Sequence, residues 1–435
     1  MTALSAPAAG RMAAVNEMTR LLRLLFEVER EFVRTASTLV PRVGEPELKY
    51  LVCQHVWESA GHARFLRERG RELTTFGATD AVRDSLRRIF AEAVGTAAAD
   101  PLVIAAGFYG VLQPALLAAY RHYLRVTDPL ADWPSKKLVE EFIRDGERQQ
   151  REIAPYLRGV DAQAWSAHLA EALGELGGWL GQEPRRPLPA GYAWSHERTP
   201  YTHPATCNRR PYPVCSSVFG FDPQQDPIIR PWLTDPQTDA RVIRLMVYVW
   251  LMMEMDAIDY LATVFIETPG APFDLHYDLA RHLWDESRHS QFGFRQLPKL
   301  GVDLQTVEHS LDLYHILIQM PPHERYAMMT MEFEANSFPT KATVMDRVRE
   351  LNDFEADTLL AFDRNDEQNH VRYGHRWLPE MMALFGETRP VEEFVQATRE
   401  KFAALAKIHG GQVPHSLPAS RRLTGEKIRQ LAGVA

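Results

Sequence analysis

Two copies of one five-residue pattern offer the clearest chemistry in the chain: Asp285-Glu286-Ser287-Arg288-His289 and Asp366-Glu367-Gln368-Asn369-His370. Each sets a Glu and a His three residues apart, so on a helix both side chains leave one face and can grip one metal ion. With Glu at roughly one position in thirteen, about one such pair is expected by chance among the 16 histidines. Two occur, and Asp precedes both. A metal-bound His usually donates its other N–H to a carboxylate, which fixes its tautomer and orientation. In a pseudo-twofold bundle Asp285 would serve His370, and Asp366 would serve His289. The bland alternative is a set of solvated helix charges with incidental histidines.

The elements that must position these pairs supply two more acids. The segment ARVIRLMVYVWLMMEMDAIDYLATVFIE is apolar almost all round, as in a helix buried within a bundle. Glu254 and Asp256 lie in its middle, where an unpaired carboxylate is costly and calls for a cation or a proton. After Pro321-Pro322, HERYAMMTMEFEANSF offers Glu332 and Glu334. At about 100° per residue, Glu334 shares a face with Ala327, Met331 and Phe338, whereas Glu332 points away. Glu254 precedes Glu286 by 32 residues and Glu334 precedes Glu367 by 33, the matched spacing of paired antiparallel helices. The expected ligands, which are also the expected catalytic groups, are Glu254, Glu286, His289, Glu334, Glu367 and His370. Two Glu-x-x-His helices with one Glu from each of two others form the di-iron or di-manganese site of a ferritin-like bundle.

Organisation along the chain follows the same plan. Helical periodicity runs from about residue 15 to 180, with Leu21, Leu22, Leu25, Val28, Phe32 and Leu39 at three- and four-residue steps. Residues 181–240 hold 11 of the 29 prolines and no apolar periodicity, so this stretch predicts an extended strap without helix. Its aromatic residues, Tyr192, Trp194, Tyr201, Tyr212, Phe219, Phe221 and Trp232, suit packing on a helical body. Periodicity resumes near Thr238, continues to about Phe385, and is followed by a last helix near 390–409 and a polar tail. The prediction is an all-α chain of two ferritin-like helical bundles. A degenerate domain at 15–180 is joined by a strap at 181–237 to a di-metal four-helix bundle at 238–390, with 391–435 as C-terminal helix and tail.

The first domain reads as a decayed copy. Glu29 or Glu31 matches the first Glu, Ser59-x-x-His62 stands for the first Glu-x-x-His, Gln113 for the third-helix Glu, and Glu147-x-x-Gln150 for the last pair. Neutral groups at those places leave too little negative charge for two cations. His203, Cys207 and Cys215 hint at zinc, but three ligands at irregular gaps make a poor structural site. Tyr248, Tyr260, Tyr314, Tyr326 and Tyr373 lie near the expected bundle core, where any could pass an electron or simply pack.

Composition narrows the class. Over 435 residues the charge is −8, 45% of residues are hydrophobic and 24% charged, ordinary for a globular protein and unlike a dedicated binder of nucleic acid or anionic membrane. Three cysteines are too few for a disulfide framework and fit a reducing compartment. The first residues carry no apolar core of signal-peptide length, and no apolar run approaches a membrane span, so a cytoplasmic location is expected.

Glu334-Ala335, the break at Pro339-Thr340, and Asp366 through Trp377, which read Asp-Glu-x-x-His-Val-x-x-Gly-x-Arg-Trp, resemble the C-terminal half of an uncharacterised ferritin-like di-iron family. MMEMDAIDY at 252–260 is similar to that family's first helix, with Glu254 at the ligand position. The resemblance spans about 140 residues and implies a ferritin-like di-iron fold, with little about substrate. The resulting expectation is a di-iron oxidase or monooxygenase that uses O₂ on a small organic substrate. Fe/Fe would be the cofactor, with Mn/Fe also suited to mixed N/O ligands. Electrons would come from the substrate or an external donor, since no flavin or iron–sulfur motif is present. A homodimer is compatible; nucleic acid and membrane are not expected as partners. The alternatives are a ferroxidase or peroxide scavenger, and a non-catalytic helical scaffold.

Overall fold

The computed structural model describes residues 14–73, 83–94, 100–194, 212–215 and 230–434. The chain is all-α. It folds into two units, the first comprising 1–43, 47–203 and 272–280, the second 44–46, 204–271 and 281–435.

The first unit contains α1 (Val15–Ser37), α2 (Pro46–Leu73), α3 (Asp84–Val94), α4 (Pro101–Gly107), α5 (Gln113–Val126), α6 (Trp133–Ile153) and α7 (Gln163–Leu176). The periodic residues of α1, Leu21, Leu22, Leu25, Val28 and Phe32, are all buried. Apolar burial of this kind contributes most of a helix's stability in a bundle. α1 packs on α3 and α5, and α5 packs on α6. A π turn at Phe108–Leu112 joins α4 to α5. The stretch Pro101–Val126 is long and apolar enough to cross a membrane by length and composition, yet 56% of its most apolar window is buried inside the protein, as in a core helix. α7 ends in a left-handed Gly177, φ 72°, with Gly178 N bonded to Leu173 O, a closure only glycine adopts without strain.

The second unit contains α8 (Arg230–Thr234), α9 (Ala240–Met253), α10 (Met255–Glu267), most of α11 (Phe273–Gln296), α12 (Asp312–Leu317), α13 (Pro322–Ala327), α14 (Phe338–Arg349), α15 (Phe354–Leu384), α16 (Val391–His409) and α17 (Gly425–Leu431). Asp239 and Asp353 cap α9 and α15 by accepting the N–H groups of Arg241 and Ala356. Ile243, Met246, Tyr248, Leu251 and Met252 of α9 lie in one core with Val344 and Val348 of α14 and Leu360 of α15. β1 (Val214–Cys215) and β2 (His309–Ser310) form a two-residue parallel pair, Val214 opposite His309.

Three expectations about elements are corrected. The predicted first helix of the second unit is two helices, because the chain turns at Glu254, φ −66°, ψ −3°. The proline-rich segment contains the short helix α8, in which Pro231 occupies the first turn, where its missing N–H goes unused. The tail contains α17, which docks on α9. Of the strap's aromatic residues, Tyr192 stacks on His168 at 4.3 Å, and Tyr212 stacks on His309 at 4.6 Å. Tyr201, Phe219 and Phe221 lie outside the described residues.

Candidate metal centre

All six sequence-predicted ligands converge within the second unit, in two groups of four. One is His282, Glu286, Glu334 and His370; the other is Glu254, His289, Asp363 and Glu367. In each, one ligand atom per residue lies within 4.8 Å of the others. α11 supplies His282, Glu286 and His289, and α15 supplies Asp363, Glu367 and His370. Each helix thus projects three side chains at steps of four and three residues, one face over two turns. Glu254 sits at the turn between α9 and α10. Glu334 immediately follows a π turn at Met328–Phe333, and such turns frequently re-aim a side chain at a functional site.

Glu286 stands between the groups. Its Oε1 is 3.3 Å from His370 Nδ1, 3.7 Å from His282 Nε2 and 3.8 Å from His289 Nδ1. His289 Nδ1 also lies 3.3 Å from Glu254 and 3.4 Å from Asp363, and His370 Nδ1 lies 3.4 Å from Glu334. The Nε2 atoms turn outward to the opposite motif: His370 to Asp285 at 3.4 Å and His289 to Asp366 at 3.3 Å. Arg281 and Arg288 in turn hold both aspartates.

The donor set suits cations. Glu254 Oε2, Glu286 Oε1, Glu334 Oε2, Glu367 Oε2, His289 Nδ1 and His370 Nδ1 are buried without a hydrogen-bond partner. Native interiors rarely leave such atoms orphaned, so a cluster of them aimed at one another is a place that could hold a cation. Burial, then the neighbouring acids Glu254 and Glu367, pushes the Glu286 carboxyl up to about 8. Burial raises Glu254 as well. Burial pulls on His289 and His370 in the opposite sense, but Asp363 and Asp366 around one and Glu334 and Asp285 around the other raise both imidazoles well above their usual range. Five carboxylates, three neutral imidazoles and the ammonium of Lys341, which bonds Asp363 at 2.5 Å and Glu367 at 2.7 Å, sum to −4. Two divalent cations would neutralise that charge.

His282, Asp363 and Lys341 went unpredicted. His282 and Asp363 each precede a motif Glu by four residues, a signal present in the sequence; Lys341 reaches the centre only through the packing of α14 on α15. Glu332 pairs with Arg399 at 2.5 and 2.7 Å and takes no part. Asp256 accepts the backbone N–H of Tyr314. Tyr260 meets the Met329 sulfur, and the Tyr326 and Tyr373 rings lie 6.4 Å from His282 and His370. Tyr248 belongs to the apolar core.

In the first unit the sequence-predicted positions lie in a hydrogen-bonded network. Glu29 bonds His62 Nδ1 at 3.0 Å, as Glu254 faces His289, and Asp145 meets His62 Nε2 at 3.2 Å, as Asp366 meets His289. Glu58 accepts from Gln149, as Asp285 serves His370, and Gln113 follows a π turn, as Glu334 does. The last pair is therefore Asp145-Gly146-x-x-Gln149, one residue from the expected Glu147-x-x-Gln150. Glu147 instead points outward to Arg121, and a side chain at Gly146 would collide with Leu117. Glu31 pairs with Arg34, leaving Glu29 as the counterpart of the first Glu. Among the described residues no group of three metal-ligating side chains forms in this unit.

Of the residues that hinted at zinc, His203 and Cys207 lie outside the described residues. Cys215 comes within 4.8 Å of Glu308 and His415, where Glu308 fastens the tail by accepting from His415 Nδ1 and Leu417 N.

A family model described as "Protein of unknown function (DUF455)" matches residues 235–411. The match covers less than half of the chain and includes every residue of the candidate centre. No curated protein and no solved structure matches.

Proposed function

We propose that the second unit is a ferritin-like dinuclear metal bundle and that the protein is an O₂-dependent oxidoreductase acting on a small organic substrate. The observation that carries this reading is the set of eight convergent donors, six of which bury an atom that makes no hydrogen bond. Mixed imidazole and carboxylate donors favour iron, with manganese as the nearest competitor. Iron held there would supply the oxidising chemistry of O₂. The residues of the chain do the rest. Asp285 and Asp366 hold the imidazoles in one orientation. Buried packing keeps bulk water from the donors, and the rings of Tyr260, Tyr326 and Tyr373 give the surroundings an aromatic character suited to an organic molecule. Electrons would come from the substrate or a separate reductase, in the reducing cytoplasm that the scarcity of cysteine suits. The first unit would serve as a structural partner.

Anaerobic addition of Fe(II) followed by O₂, monitored in the near-UV and visible range, tests this. New absorption bands that depend on Glu334 are expected. A flat spectrum with unoxidised Fe(II) would contradict the proposal.

A further inference from the structure

The proposed function leaves one buried group without a task. Lys341, 4% exposed, carries an ammonium into the second group of donors. Its Nζ bonds Asp363 Oδ1 and Glu367 Oε1, and the Trp250 ring lies 5.6 Å away. Glu254 is the third acid of that group. In the first group, by contrast, Glu286 and Glu334 pair with imidazoles, and among the described residues no Lys or Arg bonds either carboxylate.

A cation arriving at the second group must share two of its acids with a fixed positive charge. Like charges a few ångströms apart in a poorly solvated site repel strongly, even at an effective dielectric constant of about 20. Sharing remains feasible because Glu367 keeps its Oε2 free of hydrogen bonds. The first unit offers an internal comparison. Tyr120 follows Gln113 by seven residues, as Lys341 follows Glu334, and its hydroxyl bonds Glu29 at 2.5 Å. A neutral group at that register completes a polar network there, so packing alone does not demand a cation.

We infer that Lys341 makes the two metal positions unequal: the His282, Glu286, Glu334, His370 position fills first and tightly, and the Glu254, His289, Asp363, Glu367 position fills second and weakly. This inference rests on the dinuclear reading, and it gives the chain a means of holding one resident ion and one exchangeable ion.

Anaerobic Mn(II) titration of the full chain, with free Mn(II) followed by electron paramagnetic resonance, tests it. The unmodified protein should show two classes of site separated by about tenfold or more in Kd. Lys341→Gln should bring the classes within about threefold, whereas Lys341→Arg should keep them apart. Should Lys341→Gln fail to fold by circular dichroism, Glu254→Gln decides: it should abolish the weak class and spare the tight one. Two equal sites in the unmodified protein, an unchanged split in Lys341→Gln, or loss of the tight class in Glu254→Gln would overturn the inference while leaving the dinuclear centre standing. Absence of Mn(II) binding in every protein would overturn the dinuclear reading itself.

Discussion

Asp285 on α11 lies 3.4 Å from Nε2 of His370 on α15, so each motif orients the histidine of the other. Removing the charge while keeping the shape isolates that role. Asp285→Asn should weaken metal binding by about 10- to 100-fold, the usual effect of losing a carboxylate behind a ligating imidazole. Metal affinity measured by calorimetry checks this; unchanged affinity would show that Asp285 serves only Arg281 and Arg288.

Glu332 and Glu334 are two residues apart and have different partners. Glu334→Ala should lose metal while the helical circular dichroism persists, because bundle stability rests on apolar packing. Glu332→Ala breaks the pair with the half-exposed Arg399, should cost no more than about 1 kcal/mol of stability, and should keep the metal. The opposite pattern in metal analysis would contradict the assignment of the face.

The two motifs, the crossed aspartates and the third-helix Glu could be read from the chain because helical geometry converts three- and four-residue spacings directly into shared faces. His282 and Asp363 obey the same geometry, but a single His or Asp four residues before a Glu is too common to stand out. Lys341 was not legible, since its approach depends on how α14 packs against α15. The turn at Glu254 escaped because an apolar run carries no signal for a local change in ψ. The one-residue error in the first unit has a similar origin: once Gly146 and Gln149 replace Glu and His, the register loses its chemical marks, and only Asp145 keeps its place.

Gly293, one turn after His289, has no room for a side chain: a Cβ would run into the backbone of Tyr248 and Met252. Gly293→Ala should force α11 away from α9 and destabilise the protein by about 1–3 kcal/mol, seen as a lowered thermal midpoint, with metal affinity falling as well.

In the first unit, burial works against the charge on His62, yet Glu29 and Asp145 outweigh it and raise its pKa to about 9. A folded-state value above the unfolded 6.5 means that the stabilisation is complete below pH 6.5 and is lost as pH rises through about 9. The stability difference between the unmodified protein and His62→Gln should therefore shrink by on the order of 3 kcal/mol over that window, measured as thermal midpoints from about pH 6 to 10. A constant difference would contradict a charged His62. The metal content of His62→Ala should equal that of the unmodified protein.

The proposed dinuclear centre is built from Glu254, Glu286, His289, Glu334, Glu367 and His370, with His282 and Asp363 completing it. Elemental analysis of the full chain, loaded anaerobically with excess Fe(II) and desalted under conditions that retain the weaker ion, tests it most directly. About two ions per chain are expected, and none in the double variant Glu286→Ala with His370→Ala. Zero ions in the unmodified protein, or ions retained by the double variant, would contradict it.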